Sequence, residues 1–304
     1  MTTGESSEST VELAGVTKHF GKQTAVADLS LQIPKGTGFG FIGPNGAGKT
    51  TTIKMIMGLL QSDAGRIVAL GLDPIADGLA LKQRVGYVPE QQVIHRWMRV
   101  REAIRFCRLF YATWDDKLCA DLLGQFDLDP DKKVKQLSKG MVVKLSLLLA
   151  MSHEPELLVL DEPMAGLDPV VREELLDGIL QTICDREQTV VFSSHTLSDV
   201  QRLADAIGII NEGQLRVHCA VDDLLRRTKR IRAVLSDGSA PERPPEGMIW
   251  QRVRDREWLL TVEDFSDETV AGLRATNALE RVEVIDLGLE DIFKDYVRGW
   301  RASA

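Results

Sequence analysis

The stretch "FIGPNGAGKTTTIKMIMGLL", residues 41–60, runs from an apolar pair through Gly43, Gly46 and Gly48 into Lys49 and Thr50, and then turns periodic. Ile53, Ile56, Met57 and Leu60 stand at helical spacing. Residues 43–50 fit G-x-x-x-x-G-K-[ST] between an expected strand and an expected helix, which is the context that pattern requires. Glycines let main-chain N–H groups turn inward without a Cβ in the way, so loop and helix end together form a nest for a phosphate chain. The positive end of the helix adds about 0.3 to 2 kcal/mol to anion binding. Lys49 brings a point charge to the β- and γ-phosphates, and the Thr50 hydroxyl can ligate Mg²⁺. Gly43, Pro44, Asn45, Gly46, Ala47, Gly48, Lys49, Thr50 and Thr51 are therefore the candidate nucleotide-holding residues.

A triphosphate site also needs a second metal anchor and a group to position water. "LLVLDEP", residues 157–163, puts Asp161 behind four apolar residues, where a strand tip would deliver a carboxylate to the metal. Glu162, next along, is placed to face an attacking water.

The totals limit what surrounds this site. The chain has 304 residues, 44% hydrophobic and 27% charged, enough for one large domain and a smaller one. With 37 basic against 45 acidic residues the net charge is -8, so nucleic acid is not an expected partner. Cys107, Cys119, Cys184 and Cys219 stand far apart without paired spacing and read as reduced filler rather than disulfides or a zinc site. No apolar run reaches the roughly 18 to 20 residues of a membrane-spanning helix, and the first residues, "MTTGESSEST", lack the features of a secretory signal. The expectation is a cytoplasmic chain with a disordered tail over residues 1–10.

Alternation between Val11 and Pro34, broken by Gly21, predicts a small antiparallel sheet. From Phe39 on, short apolar runs ("FGFI", "RIVAL", "VGYVP", "LLVL", "TVVFSS", "AIGII") alternate with helical segments, which predicts a mainly parallel sheet covered on both faces. Between about residues 92 and 155 only helical patterns occur, predicting an inserted helical subdomain. The fold class expected is therefore α/β, a P-loop NTPase core with an antiparallel β subdomain and that helical insert over 11–215, followed by a small accessory α+β domain over 216–304. The accessory part opens on a basic run, Arg226 to Arg232, read as a solvated face or helix end with anionic lipid as the sharper option. It closes on "LEDIFKDYVRGW", where Ile292, Phe293, Tyr296 and Trp300 would line one helix face.

Further segments fall into the order of one family. "LSKGM", residues 137–141, resembles the LSGGQ signature of ABC-type ATPases, the nucleotide-binding subunits of transporters, and the resemblance extends from about Val11 to Gly213. It implies ATP with Mg²⁺ as ligands and a head-to-tail pair of ATPase subunits, a homodimer, with two ATP in the interface. There Ser138 and Gly140 of one copy would open a helix onto the γ-phosphate held by the other. "AGLDP", residues 165–169, resembles the D-loop, with Asp168 speaking across the pair, and His195 in "FSSH" stands at the family's switch histidine. Phe20 in "KHFG" matches the aromatic that stacks on adenine, a plain core residue being the alternative.

The chain departs from the family pattern in places. Lys139 and Met141 replace a glycine and a glutamine of the signature, and Lys139 could face the phosphate or solvent. Glu90 occupies the usual glutamine position of the Q-loop, with Gln91 behind it as the other candidate; Glu90 would face the metal with Thr50 and Asp161. Trp97 and Met98 follow where a relative receives the membrane subunit's coupling helix, core packing being the alternative for the tryptophan. The resemblance thus implies an ATP-hydrolysing subunit, of the exporter type, with Glu162 and His195 as its catalytic pair. It would sit at the inner face of the cell membrane and drive a separate integral membrane permease. A soluble relative acting on ribosomes or DNA is the alternative.

Overall fold

The computed structural model describes residues 9–186, 188–236, 240–241, 244–274 and 279–303, and the side chains of these except at 181–186 and 300–303. The chain divides into two compact units after His218.

The first unit runs β1 (Ser9–Phe20), β2 (Gln23–Pro34), β3 (Gly38–Ile42), α1 (Lys49–Ile56), β4 (Ala64–Ala69), α2 (Gly78–Arg84) and β5 (Val85–Val88). It continues with α3 (Val100–Arg108), α4 (Asp116–Gln125), a 3-10 turn at Val134–Gln136, α5 (Lys139–Met151), β6 (Leu157–Asp161), α6 (Pro169–Arg186), β7 (Thr189–Ser194), α7 (Leu197–Leu203), β8 (Ala206–Asn211) and β9 (Gln214–Ala220). Between residues 92 and 155 every regular element is helical. β1 starts at Ser9, inside the expected tail, and the Thr10 hydroxyl lies 2.9 Å from that of Thr189; residues 1–8 lie outside the described residues.

Six strands form one sheet in the order β5-β6-β7-β3-β8-β9. Every residue of β3, β6 and β7 is buried, which is why these strands read as continuous apolar runs rather than alternating ones. The "RIVAL" run was expected in this sheet. It lies instead in β4, paired antiparallel with β1 in a three-stranded sheet of order β2-β1-β4. A short apolar run does not encode its partner, and β1, with Val11, Leu13 and Val16 turned inward, offers β4 a complementary face. α1 sits in the cluster that joins the two sheets, with Ile53, Met55 and Ile56 packed among Leu29, Phe41 and Val159. α5 is buried on nearly every side, from Gly140 to Met151, as an all-round apolar helix must be.

Register sets the site. In the parallel pairings Asp161 lies opposite Ser193, and Ile42 opposite Ser194. The carboxyl ends of β3, β6 and β7 are therefore level, and the segments that leave them start from one edge, where open α/β sheets bind ligands.

The second unit holds α8 (Val221–Arg227), β10 (Lys229–Leu235), β11 (Met248–Arg254), β12 (Glu257–Val262), α9 (Asp267–Arg274), β13 (Leu279–Asp286) and α10 (Leu289–Ser303). Its sheet has the order β11-β12-β10-β13, antiparallel throughout, around a core of Ile231, Leu235, Trp258, Leu260 and Val262. Ile292 and Tyr296 of α10 are buried, and the side chain of Trp300 lies outside the described residues.

The basic run at 226–232 begins as the helix end expected, with Arg226 and Arg227 in the last turn of α8, and its cations are paired with acids. Arg226 pairs with Asp223, Arg227 with Glu263, Lys229 with Asp286 and Arg232 with Glu257. Arg230 pairs with Asp295, which has no exposed surface and also accepts from the Thr261 hydroxyl at 2.6 Å. Lys229, Arg230 and Arg232 of β10 thus meet acids on β13, α10 and β12. Removing one partner of a buried pair strands the other charge. Asp295→Ala is expected to destabilise the second unit by about 3 to 5 kcal/mol, with much of the loss recovered in Arg230→Met/Asp295→Leu. Denaturant titration followed by tryptophan fluorescence checks both variants.

Candidate functional site

At the level edge of the sheet lies a cleft of about 460 Å³. Asn45 to Thr51 form its floor, Phe20, Gln23 and Ala25 come from the β1–β2 hairpin, and Glu90, Glu162, Ala165 and His195 close the remaining sides. The loop bends into α1 through Gly48, whose φ of 110° and whose approach to the Ala25 carbonyl, 2.6 Å from where a Cβ would stand, exclude any side chain. The first amides of α1 have no carbonyl partner within the helix and open toward this cleft.

Lys49 is 6% exposed and folds back over its own loop, its Nζ donating to the carbonyls of Gly43 at 2.7 Å and Pro44 at 3.3 Å. The same Nζ lies 3.6 Å from Glu162 Oε1, while His195 Nδ1 lies 2.6 Å from Glu162 Oε2. An ionised carboxylate only accepts, so Nδ1 carries the proton and Nε2 is left for other contacts. Glu162 itself has φ 47°, an uncommon left-handed conformation for a glutamate, and its N–H donates to Ser193 Oγ at 2.8 Å. The turn is held by that bond and by Ala165 N–H to the Glu162 carbonyl at 3.1 Å.

Asp161 is buried behind the loop. Its Oδ1 accepts from Thr50 Oγ1 at 3.0 Å and Ser193 Oγ at 2.7 Å, and burial pushes its pKa above the usual carboxylate range. Burial, together with the charges of Asp161 and Glu90, pushes the Tyr87 hydroxyl up to about 12. A hydroxyl and a carboxylate oxygen side by side are hard donors that suit Mg²⁺. Among the described residues no three His, Cys, Asp or Glu side chains form a ready cage, which fits an ion that arrives with phosphate oxygens.

The sequence-derived candidates separate into three groups. Those from Asn45 to Thr51, with Phe20, Glu90, Glu162 and His195, line one cleft; Gly43, Pro44 and Asp161 support it from behind. Phe20 is 52% exposed, so it is not a core residue. Glu90 lines the cleft and Gln91 does not. Ser138, Gly140 and Asp168 lie outside the cleft: Ser138 caps α5 by accepting from Met141 N–H at 3.2 Å, and Asp168 caps α6 by accepting from Val171 N–H at 3.1 Å. Lys139 is exposed, as the solvent alternative expects, and its Nζ also donates to the Ala165 carbonyl at 2.6 Å. Trp97 is 67% exposed and stacked on His95, so it does not pack in the core, whereas Met98 does. Gln23, Ala25, Ala165 and Ser193 escaped the sequence reading. Ser193 could have been found, since it sits two residues before His195 on a wholly buried strand, where a hydroxyl must find a partner.

A parallel sheet with a phosphate loop after one strand and an acidic tip two strands away defines the P-loop nucleoside triphosphatase class. A family model described as "ABC transporter" matches residues 26–165. Over 291 residues, 93% of this chain and 96% of the relative, the sequence is 33% identical to the uncharacterized ABC transporter ATP-binding protein YhaQ of Bacillus subtilis. It is 36% identical over 209 residues to the Nod factor export ATP-binding protein I of Burkholderia orbicola, covering 67% of this chain and 68% of that one. A solved structure of an ATP-binding subunit of an ABC transporter superposes with a TM-score of 0.65 at 27% identity, covering 71% of this chain and 92% of that one. The chain belongs to the ATP-binding proteins of ABC transporters and is an ATPase of that family.

Because burial disfavours the ionised Asp161, its charge lowers stability above its folded-state pKa, a cost the unfolded chain does not carry. Asp161→Asn is expected to raise the melting temperature of the protein at pH 7. The gain should shrink as the pH falls toward the ordinary value of 3.8. Thermal melts across that range check the sign.

Proposed function

We propose that this chain is the ATP-hydrolysing subunit of an exporter, paired head to tail with a second copy around two ATP and driving a separate membrane-spanning permease from the cytoplasmic face. The observation that carries the pairing is the position of Ser138. It caps the 13-residue helix α5, an anion-binding end, yet lies outside the cleft that contains Lys49. A second copy would bring that end to the triphosphate.

Within one copy, Phe20 stacks on the adenine, and the amides from Asn45 to Thr51 with Lys49 hold the phosphates. Thr50, Asp161 and Glu90 would hold Mg²⁺, which supplies charge neutralisation at the phosphate oxygens. Glu162 orients and polarises the attacking water, and His195 holds the Glu162 carboxylate while its Nε2 remains available for the γ-phosphate. In the nucleotide-free protein Glu162 lies near Lys49, so phosphate and carboxylate compete for one ammonium group. Asp168 acts across the interface.

The permease reading draws on a second groove of about 340 Å³, lined by Leu59, Val93, Ile94, Tyr111 and Leu149. Val93 is 87% exposed, more apolar surface than a lone solvated residue needs. Among the described residues no helix is long and apolar enough to cross a membrane. The export direction follows the Nod factor export relative. No observation favours the ribosome or DNA alternative, and the net charge of -8 opposes it. The division of labour proposed is an ATPase over residues 11–215, with its helical insert at 92–155, and an accessory domain over 216–304.

Glu162→Gln is expected to retain ATP binding, to lose about 10²- to 10⁴-fold in turnover and to sediment as a dimer in ATP. Lys49→Ala is expected to lose ATP binding, measured by equilibrium dialysis. Monomeric Glu162→Gln protein at saturating ATP would overturn the pairing. Phe20→Ala should weaken ATP binding about 5- to 100-fold, the worth of one stacked base, with kcat at saturating ATP unchanged.

A further inference from the structure

Four residues beyond His195, one turn into α7, stands Asp199, 2% exposed. Its Oδ1 accepts from Arg172 Nε at 2.7 Å, and Arg172 NH2 approaches the same oxygen at 2.6 Å. Asp199 Oδ2 is buried and has no hydrogen-bond partner among the described residues. An ion pair assembled this way is a poor stabiliser, since an apolar pair of similar volume would serve as well or better. What it does instead is join two places in the active site. Arg172 lies in the first turn of α6, four residues after Asp168, whose side chain caps that helix. Asp199 lies just behind the loop that holds His195 against Glu162. Its carboxylate is close enough for the charges of both His195 and Glu162 to act on it.

The other side of α6 is fastened to α5, the helix that Ser138 caps. Gly140 approaches Val171 so closely that a Cβ would meet its Cγ1 at 2.5 Å. Lys139 Nζ donates to the Ala165 carbonyl at 2.6 Å, and Lys144 Nζ pairs with Glu174 at 2.5 Å. Two of these ties hold α5 against α6, and Lys139, where the family signature has glycine, supplies the third, to the segment that leads into α6.

We infer that Arg172 and Asp199 are positioning residues for hydrolysis: their buried pair couples the α5–α6 body to the His195 loop, so that His195 meets Glu162 in the right place when the Ser138 end is engaged. The last clause rests on the pairing proposed above. Coupling of this kind needs an energetic test rather than a traced path, because spatial intermediacy alone carries no coupling.

The test uses the full chain, with steady-state ATP hydrolysis, ATP binding and thermal melting measured on each variant. Asp199→Asn is expected to lower kcat about 10-fold with KM for ATP within about twofold, and its melting temperature, lowered because Arg172 loses its partner, fixes the assay temperature at which the variant is still folded. Arg172→Lys, which keeps the charge and loses the planar fork, should fall between the two, and it carries the test if Asp199→Asn fails to fold. The exchanged pair Arg172→Asp/Asp199→Arg should recover part of the loss. Lys139→Met combined with Asp199→Asn should cost less than the product of the single effects. An unchanged kcat in both single variants, or losses that multiply independently in the combined variant, would overturn the inference. Failure of the pairing itself is distinguishable: wild-type turnover per subunit would then be independent of protein concentration, whatever the Asp199 variant does.

Discussion

The register between β6 and β7 sets Asp161 opposite Ser193, and one hydroxyl then serves both halves of the acidic tip. Ser193 Oγ donates to Asp161 Oδ1 and accepts from the Glu162 N–H. Asp161 is thereby aimed at Thr50, while the chain turns sharply enough at Glu162 to send the next carboxylate to the other side, toward Lys49 and His195. Two adjacent acids so acquire different environments, one buried behind the loop and one facing the cleft. A slip of one residue in this pairing would turn each side chain to the opposite face and take the site apart.

The charged groups of the cleft find partners within the protein itself. Lys49 is nearly buried and is satisfied by two loop carbonyls and by Glu162. Glu162 thus stands between two partners, with Lys49 Nζ at 3.6 Å from one carboxylate oxygen and His195 Nδ1 at 2.6 Å from the other. Asp161 has no such cation in hydrogen-bond contact and carries the cost of burial, which is the usual condition of a group kept for function rather than stability. The left-handed backbone at Glu162 belongs to the same description.

The second unit follows ordinary structural rules. Arg230 and Arg232 alternate along β10 with Ile231 and Ala233, so the apolar residues face the core while these cations meet acids from neighbouring elements. Trp250 lies between the guanidinium groups of Arg230 and Arg298, 5.7 and 5.6 Å from its ring centre, and helps hold α10 over the sheet. Of this charge run, Lys229 and Arg232 pair across strands, with Asp286 and Glu257, while Arg230 ties the sheet to α10.

Residues near one another in the chain were legible as patterns without a structure. The phosphate loop, the acidic tip, the serine-led signature and the histidine after β7 are each local patterns whose backbone conformation and chemistry are written within eight residues. The same holds for the alternation of strand and helix that defines the class. Tertiary structure decided everything that depends on which distant segments meet: β4 joining β1 rather than the parallel sheet, Glu90 rather than Gln91 at the cleft, Ser193 as the bracket of the acidic tip, and Lys139 bound to the Ala165 carbonyl. The reason is physical. A hydrogen bond or ion pair between residues 26 or more apart leaves no periodicity in the sequence, because its geometry is set by register and packing that no single segment contains.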